Sequence, residues 1–275
     1  MTKSSNQTMH FFELIKRSIF AGVLIGIAGW GFLANPVLGM FLFCVGLIGV
    51  IKYQSKLYTG TAGFLDSWRD IPMLLLVLLG NIIGCALVAS ISLATPLALP
   101  AAATGVITGR LALGWFKCGV LAMGCGLLMS FSVDFARKNR DFSDWLPLLF
   151  AVPAFIMCGF PHCVADAFYS LVYLFNTPVS EVAWGSFFAY YVSIVIGNFF
   201  GCNAYKVFRY REDYNSGILP IRRKPLNTKA KSRHMFAYVD FLLYNIGRKG
   251  DKKYIYEVYI GYKGERTKGY RRMEG

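Results

Sequence analysis

The stretch CGFPHCVAD, Cys158 to Asp166, sets a histidine, an aspartate and two thiols beside a glycine and a proline inside a long apolar run. Pro161 lacks an N–H and Gly159 relaxes the backbone, so a helix arriving here stops. A half-helix restarting through Val164 to Phe175 carries His162 at its N-terminus, where unpaired N–H groups and the helix dipole favour anions. Imidazole there can exchange protons near physiological pH. It can also hold two helices together by a hydrogen bond, or join Cys158 and Cys163 as a soft site for copper or zinc. A second such stretch is YQSKLYTG, Tyr53 to Gly60. Leu57 and Tyr58 form an apolar collar and Thr59 places a hydroxyl just beyond it. Lys52 and Lys56 flank this break, either reaching to headgroups or facing a cytoplasmic vestibule where they concentrate anions. Arg110 and Lys117 open the fourth apolar span; Arg110 lies next to an uncharged loop on the outer side, where it either attracts anions or reaches up to headgroups.

The elements that position these residues follow from composition. Of 275 residues 55% are hydrophobic and only 16% charged, against about 25% charged in soluble domains, which points to a membrane protein. Neither Ser18–Ile51 nor Ile71–Gly109 contains a charge. A helix needs roughly 20 apolar residues to cross about 30 Å of hydrocarbon, so each run holds two crossings, broken at Asn35-Pro36 and at Pro96 and Pro100. Spans are expected over 18–34, 37–54, 72–94, 104–133, 145–176 and 183–207, with the second interrupted at Gln54–Gly60 and the fifth at Gly159–Val164. Unwound backbone at that depth is tolerated only where protein buries it or it lines a wet cavity. The connections Gly31–Val37, Thr95–Gly105 and Asn176–Ala183 carry no Lys or Arg, whereas Lys16, Arg17, Arg69, Arg137, Lys138 and Arg140 fall on the other side. The positive-inside rule therefore makes both termini cytoplasmic. Met1–Lys16 is polar and leads into further spans, so no cleavable signal peptide is expected.

LLGNIIGCAL (78–87) and VIGNFFGCNA (195–204) share Gly-Asn-x-x-Gly-Cys, at Gly80/Asn81/Gly84/Cys85 and Gly197/Asn198/Gly201/Cys202. Small residues at this spacing let membrane helices approach closely. The motif falls on the third span of each three-span half, and an odd number of spans per half makes the halves inverted. Paired interruptions one span earlier in each half point to a permeation site near the midplane.

KLYTG, GNIIG, GFPHCVADAFY and IGNFFG, in this order and spacing across about residues 10–210, resemble the formate/nitrite transporter family of formate channels, nitrite transporters and hydrosulfide channels. The resemblance implies an all-α membrane protein of six transmembrane helices in two inverted three-helix halves, similar to aquaporins, with interrupted second and fifth helices. It also implies a homopentamer with a pore in every protomer. Position by position, Leu57 and Tyr58 match a cytoplasmic constriction faced by Leu47, and Phe43 and Phe155 match a periplasmic one. Thr59 and His162 match the central pore, with Asn81 and Asn198 as the amides of the interrupted elements. Arg110 stands where the family usually has a Lys. Lys56 and Pro161 replace frequent acids, and Asp166 replaces a frequent Asn.

The function implied is a conduit, not an enzyme, for small monovalent anions of weak acids: formate first, then nitrite or hydrosulfide. Arg110, Lys52, Lys56 and Lys117 attract the anion, apolar collars strip its water, and His162 protonates it in transit. The alternatives are a membrane metal or redox protein using Cys158, His162 and Cys163, and a neutral-solute channel, for which the paired Asn-Pro-Ala signature is lacking. The seven cysteines show neither zinc-site nor disulfide spacing and read as small buried hydrophobes; no metal or cofactor is expected. The expected organisation is a cytoplasmic N-terminal segment (1–17), a transmembrane channel domain (18–208) in the inner, cytoplasmic membrane and a basic cytoplasmic tail (209–275). Residues 206–275 hold 18 of the 29 Lys and Arg, which suits anionic inner-leaflet lipids as partners. RRKPLNTKAKSR reads as a flexible linker, MFAYVDFLLYNIG as a short helix and KKYIYEVYIGYKGERTKGYRR as a strand pair. A small domain or a docking element is the other reading of the tail, and nucleic-acid binding is not expected.

Overall fold

The computed structural model describes residues 3–65, 67–138 and 141–208, with side chains from Phe11 to Val207. Of the two units into which the chain divides, Met1–Glu212 holds every described residue. The expected tail elements of 209–275 lie outside the described residues.

The described chain is all-helical. In order it forms α1 (Lys3–Ala34), α2 (Pro36–Lys52), α3 (Tyr58–Ala62), α4 (Ile71–Ser92), α5 (Leu99–Leu113), α6 (Trp115–Lys138), α7 (Leu146–Met157), α8 (Cys163–Phe175) and α9 (Trp184–Phe208). Four helices are long and apolar enough to cross a membrane: Phe11–Ala34, Trp68–Ser92, Trp115–Lys138 and Trp184–Val207. The others are shorter, and two pairs are separated by short unwound stretches, α2 from α3 at 53–57 and α7 from α8 at 158–162. Both overlap the expected interruptions, Gln54–Gly60 and Gly159–Val164, but helix resumes earlier than expected, at Tyr58 and at Cys163. Backbone geometry marks them: φ is 51° at Gln54 and 69° at Gly159, the left-handed region.

Two boundaries differ from expectation. Helix α1 begins at Lys3, so most of the N-terminal segment is helical and continuous with the first apolar run. The fourth span, expected as one helix over 104–133, is instead divided at Gly114. Gly114 has φ 84° and its N–H caps α5 by donating to the carbonyls of Arg110 and Leu111. A second helix, α6, then runs to Lys138. The expected loop Thr95–Gly105 is correspondingly short, because α5 starts at Leu99 with Pro100 in its first turn, a position where the missing N–H costs nothing. Arg110 and Lys117 thus sit on different helices.

Helix α1 packs along α4, and α6 along α9. The repeated motif explains the closeness of both pairs. A Cβ on Gly84 would run into the backbone carbonyl of Ile19, and one on Gly201 into that of Met123. Replacing Gly84 with Val is therefore expected to destabilise the protein by about 1–3 kcal/mol, the usual cost of overpacking, read as a lower melting temperature in detergent. On the opposite faces of the same motif helices, Leu75, Leu79, Ile83 and Leu87 of α4 and Phe188, Val192, Ile196 and Phe200 of α9 form exposed apolar stripes. Stripes of this kind on several helices suit lipid or a neighbouring subunit, not water. The chain is a multi-pass membrane protein. Helix α8 lies at the centre against α4, α5 and α1, with every residue from Cys163 to Ser170 buried.

Candidate functional site

His162 is the N-cap residue of α8, in extended backbone conformation, and its side chain is 1% exposed. Its Nδ1 accepts from the Ala165 N–H at 3.2 Å, and its Nε2 lies 2.9 Å from Thr59 Oγ1. An Nδ1 that accepts from a backbone amide carries no proton, which assigns the ring proton to Nε2 and makes Thr59 its acceptor. The structure thus places together the central pair expected from sequence. It adds the ring of Phe155, stacked on the imidazole with centroids 5.9 Å apart. Phe43 meets Phe155 edge-on at 6.3 Å.

Asn81 and Asn198 hold the two interruptions by the same pattern. Asn81 accepts from the Tyr58 N–H at 2.9 Å through Oδ1 and donates to the Lys56 carbonyl at 2.8 Å through Nδ2. Asn198 accepts from the Cys163 N–H at 2.8 Å and donates to the Pro161 carbonyl at 3.0 Å. Each amide also donates to the helix behind it, at the carbonyls of Ser18 and Ala122. Each clamp therefore brackets one residue, Leu57 in the first interruption and His162 in the second. Unwound backbone that would be costly in hydrocarbon is satisfied by one side chain. Both amides are fully buried and line neither cavity described below, so they act on backbone.

The cysteines of the repeated motif cross over. The Cys85 thiol contacts the Val164 carbonyl of α8 at 3.4 Å, and the Cys202 thiol the Thr59 carbonyl of α3 at 3.4 Å. Each motif thus clamps its own interruption with its Asn and touches the other half's short helix with its Cys. Reading these thiols as inert hydrophobes misses a weak polar contact that only the packed structure creates.

Two cavities lie at the two interruptions, one beside Leu57 and one beside His162. One of about 460 Å³ is lined by Leu47, Leu57, Lys52, Lys56, Arg137 and Trp145, among others, with no Asp or Glu among the described residues that line it. Leu47 and Leu57, 1% and 2% exposed, are its apolar contribution to the core. Lys52 Nζ stands 4.8 Å over the Trp145 ring. Arg137, which the sequence marks only as a flanking charge, donates to the Gly60 carbonyl at 2.6 Å and covers the Phe64 ring. The expected collar residue Tyr58 is buried but lines neither cavity, and its hydroxyl donates to the Val195 carbonyl at 3.2 Å. The second cavity, about 270 Å³, is lined by His162, Phe155, Phe160, Gly159, Arg110 and Asp166, among others. Arg110 Nε donates to Asp166 Oδ1 at 3.1 Å and Nη1 to the Gly159 carbonyl at 2.7 Å. Lys117 is exposed on the first turn of α6 and lines neither cavity.

Among the described residues no group of three or more His, Cys, Asp or Glu side chains is placed to hold a metal ion. Both nitrogens of His162 are already engaged, by Thr59 and Ala165, which counts against the Cys158, His162, Cys163 metal reading.

A helical membrane protein with paired interrupted helices, one cavity at each interruption and a buried histidine lining one of them is built as a channel or transporter. The chain belongs to the formate/nitrite transporter family, whose model, described as "Formate/nitrite transporter", matches residues 2–208. Among solved structures its fold is similar to a "Pentameric formate channel with formate bound", with TM-score 0.63, 21% identity, and 72% of this chain and 94% of that chain covered. It is also similar to an "FNT family ion channel", with TM-score 0.55, 20% identity, and 74% and 89% covered. No curated protein matches it.

Proposed function

We propose that the protein is a channel for small monovalent anions of weak acids, formate first and then nitrite or hydrosulfide, with His162 exchanging a proton with the anion in transit. The observation that carries this reading is the Thr59–His162 hydrogen bond, which joins the starts of α3 and α8; on this reading it stands between the cationic cavity and an apolar constriction formed by Phe43 and Phe155. A bare anion entering that constriction loses its hydration at great cost. A neutral acid does not. In the resting geometry His162 carries its single ring proton on Nε2. To act as a donor it first takes a second proton at Nδ1 from water in the cavity it lines, releasing the Ala165 N–H, and that Nδ1 proton is the one passed on. Giving a proton to the anion then restores the neutral, capped ring.

Family membership and the likeness to a structure titled a formate channel support the substrate class. The same likeness supports a homopentamer, which also suits the exposed apolar stripes. Six crossings follow if α2 with α3, and α7 with α8, each make one broken span, giving two inverted, aquaporin-like halves. The matching Asn clamps support that inversion. Six crossings with Arg137 and Lys138 on the side of Lys16 and Arg17 support cytoplasmic termini in the inner membrane. On this reading residues 18–208 are the channel and carry no enzymatic activity. The tail of 209–275 and anionic lipids remain proposed partners on charge alone.

Reconstituted flux of formate, nitrite, hydrosulfide, acetate and chloride, each across a pH range, tests the proposal. Weak acids should pass faster as pH falls and chloride slowly throughout. Equal passage of uncharged glycerol would favour the neutral-solute reading. The cationic cavity gives a further expectation. Replacing exposed Lys56 with Glu should raise the half-saturating anion concentration on that side by about threefold to tenfold, as expected where charge focuses substrate. The effect should shrink in high salt.

A further inference from the structure

We propose that Asp166 sets the charge selectivity of the second cavity, making it a mouth for the undissociated acid in preference to its anion. Among the described residues that line it, Arg110 and Asp166 are the only Lys, Arg, Asp or Glu. They come from α5 and α8, 56 positions apart in sequence, and pair at 3.1 Å with the carboxylate 1% exposed. The pair is not an incidental surface contact. Oδ2 of the same carboxylate accepts the His162 backbone N–H at 3.1 Å, and the guanidinium is held a second time by the Gly159 carbonyl. The positive charge that sequence places at this mouth is thus matched by a negative one, and the mouth has no net charge.

The consequence is an asymmetric pore. Among the described residues that line it, the cavity beyond Leu57 has Lys52, Lys56 and Arg137 as its charged groups, whereas the cavity at His162 has one cation and one anion paired with each other. An anion approaching the second mouth must compete with a carboxylate already seated on Arg110. A neutral acid meets no such competitor and can still accept from the part of the guanidinium fork that Asp166 and Gly159 leave unused. A free monocation would concentrate anions here, and a guanidinium with its own counter-ion does so weakly.

This inference rests on the channel reading, and one experiment separates the two. Liposomes carrying wild type, Asp166→Asn, Arg110→Gln and the double variant are assayed for formic acid flux at low pH and for flux of nitrate, an anion at every pH used. Unpairing Arg110 in Asp166→Asn should raise the nitrate-to-formic-acid ratio by about threefold to tenfold and steepen its fall with salt. Arg110→Gln, which leaves the carboxylate alone, should lower that ratio. The double variant, again without net charge, should return to within about twofold of wild type, a reciprocity that lost packing does not produce. A folded Asp166→Asn with an unchanged ratio overturns the inference. If Asp166→Asn does not fold, equal ratios in Arg110→Gln and the double variant overturn it. Wild-type liposomes that pass no more formic acid than protein-free ones overturn the channel reading, and this inference with it.

Discussion

Replacing His162 with Phe is expected to lower weak-acid flux by about two orders of magnitude, the scale on which a positioned proton donor acts, and to flatten its dependence on pH between about 5 and 8. Phe keeps a ring for Phe155 to stack on, so the apolar path stays lined. It removes both nitrogens, and with them the acceptor for the Ala165 N–H and the partner of Thr59 Oγ1. The lost N-cap costs about 1 kcal/mol, small enough for the protein to fold. Stopped-flow acidification of liposomes containing wild type and variant measures the effect. A variant that conducts weak acids with unchanged pH dependence ends the proton-exchange role of His162 and leaves it as a cap.

The second large effect is on stability. Asn198→Leu, close to isosteric, strands the Cys163 N–H and the Pro161 carbonyl and removes the bond to the Ala122 carbonyl, which keeps its own helical partner. Each buried group left unpaired costs about 1–3 kcal/mol, so a loss of at least about 2 kcal/mol is expected, seen as failure to extract monodisperse protein in detergent. Asn81→Leu should be comparably severe, because its three bonds serve the other interruption in the same way. If one variant is tolerated and the other is not, the two clamps are not equivalent, and the support they give to an inverted repeat falls away.

What was legible in the sequence was local. Gly159, Pro161 and His162 interrupt a helix by their own chemistry, and the structure breaks α7 from α8 there. Gln54 to Leu57 do the same between α2 and α3. Asn81 and Asn198 stood out because a six-residue motif recurs. Gly114 did not, because a lone glycine in an apolar run looks like a tolerated helical residue, and only its φ of 84° shows that the chain turns there. Partnerships across the fold were hidden as well. Arg110 and Asp166 meet because α5 packs on α8, and Arg137 reaches the first cavity because α6 passes α3. The crossed thiol contacts of Cys85 and Cys202 depend on the same packing. None of these pairings has a spacing that a chain read end to end can reveal.

The two asparagine clamps separate how the chain is held from what it offers to a passing solute. Asn81 and Asn198 grip main-chain atoms on either side of positions 57 and 162 and make no demand on the side chains between. Each interruption is therefore a socket whose backbone is gripped independently of its fitting: leucine, a plain hydrophobic plug, in one, and histidine, which also caps α8, in the other. The residue at position 57 can be exchanged while the grip on its backbone stays as it is, whereas exchange at 162 also gives up a cap.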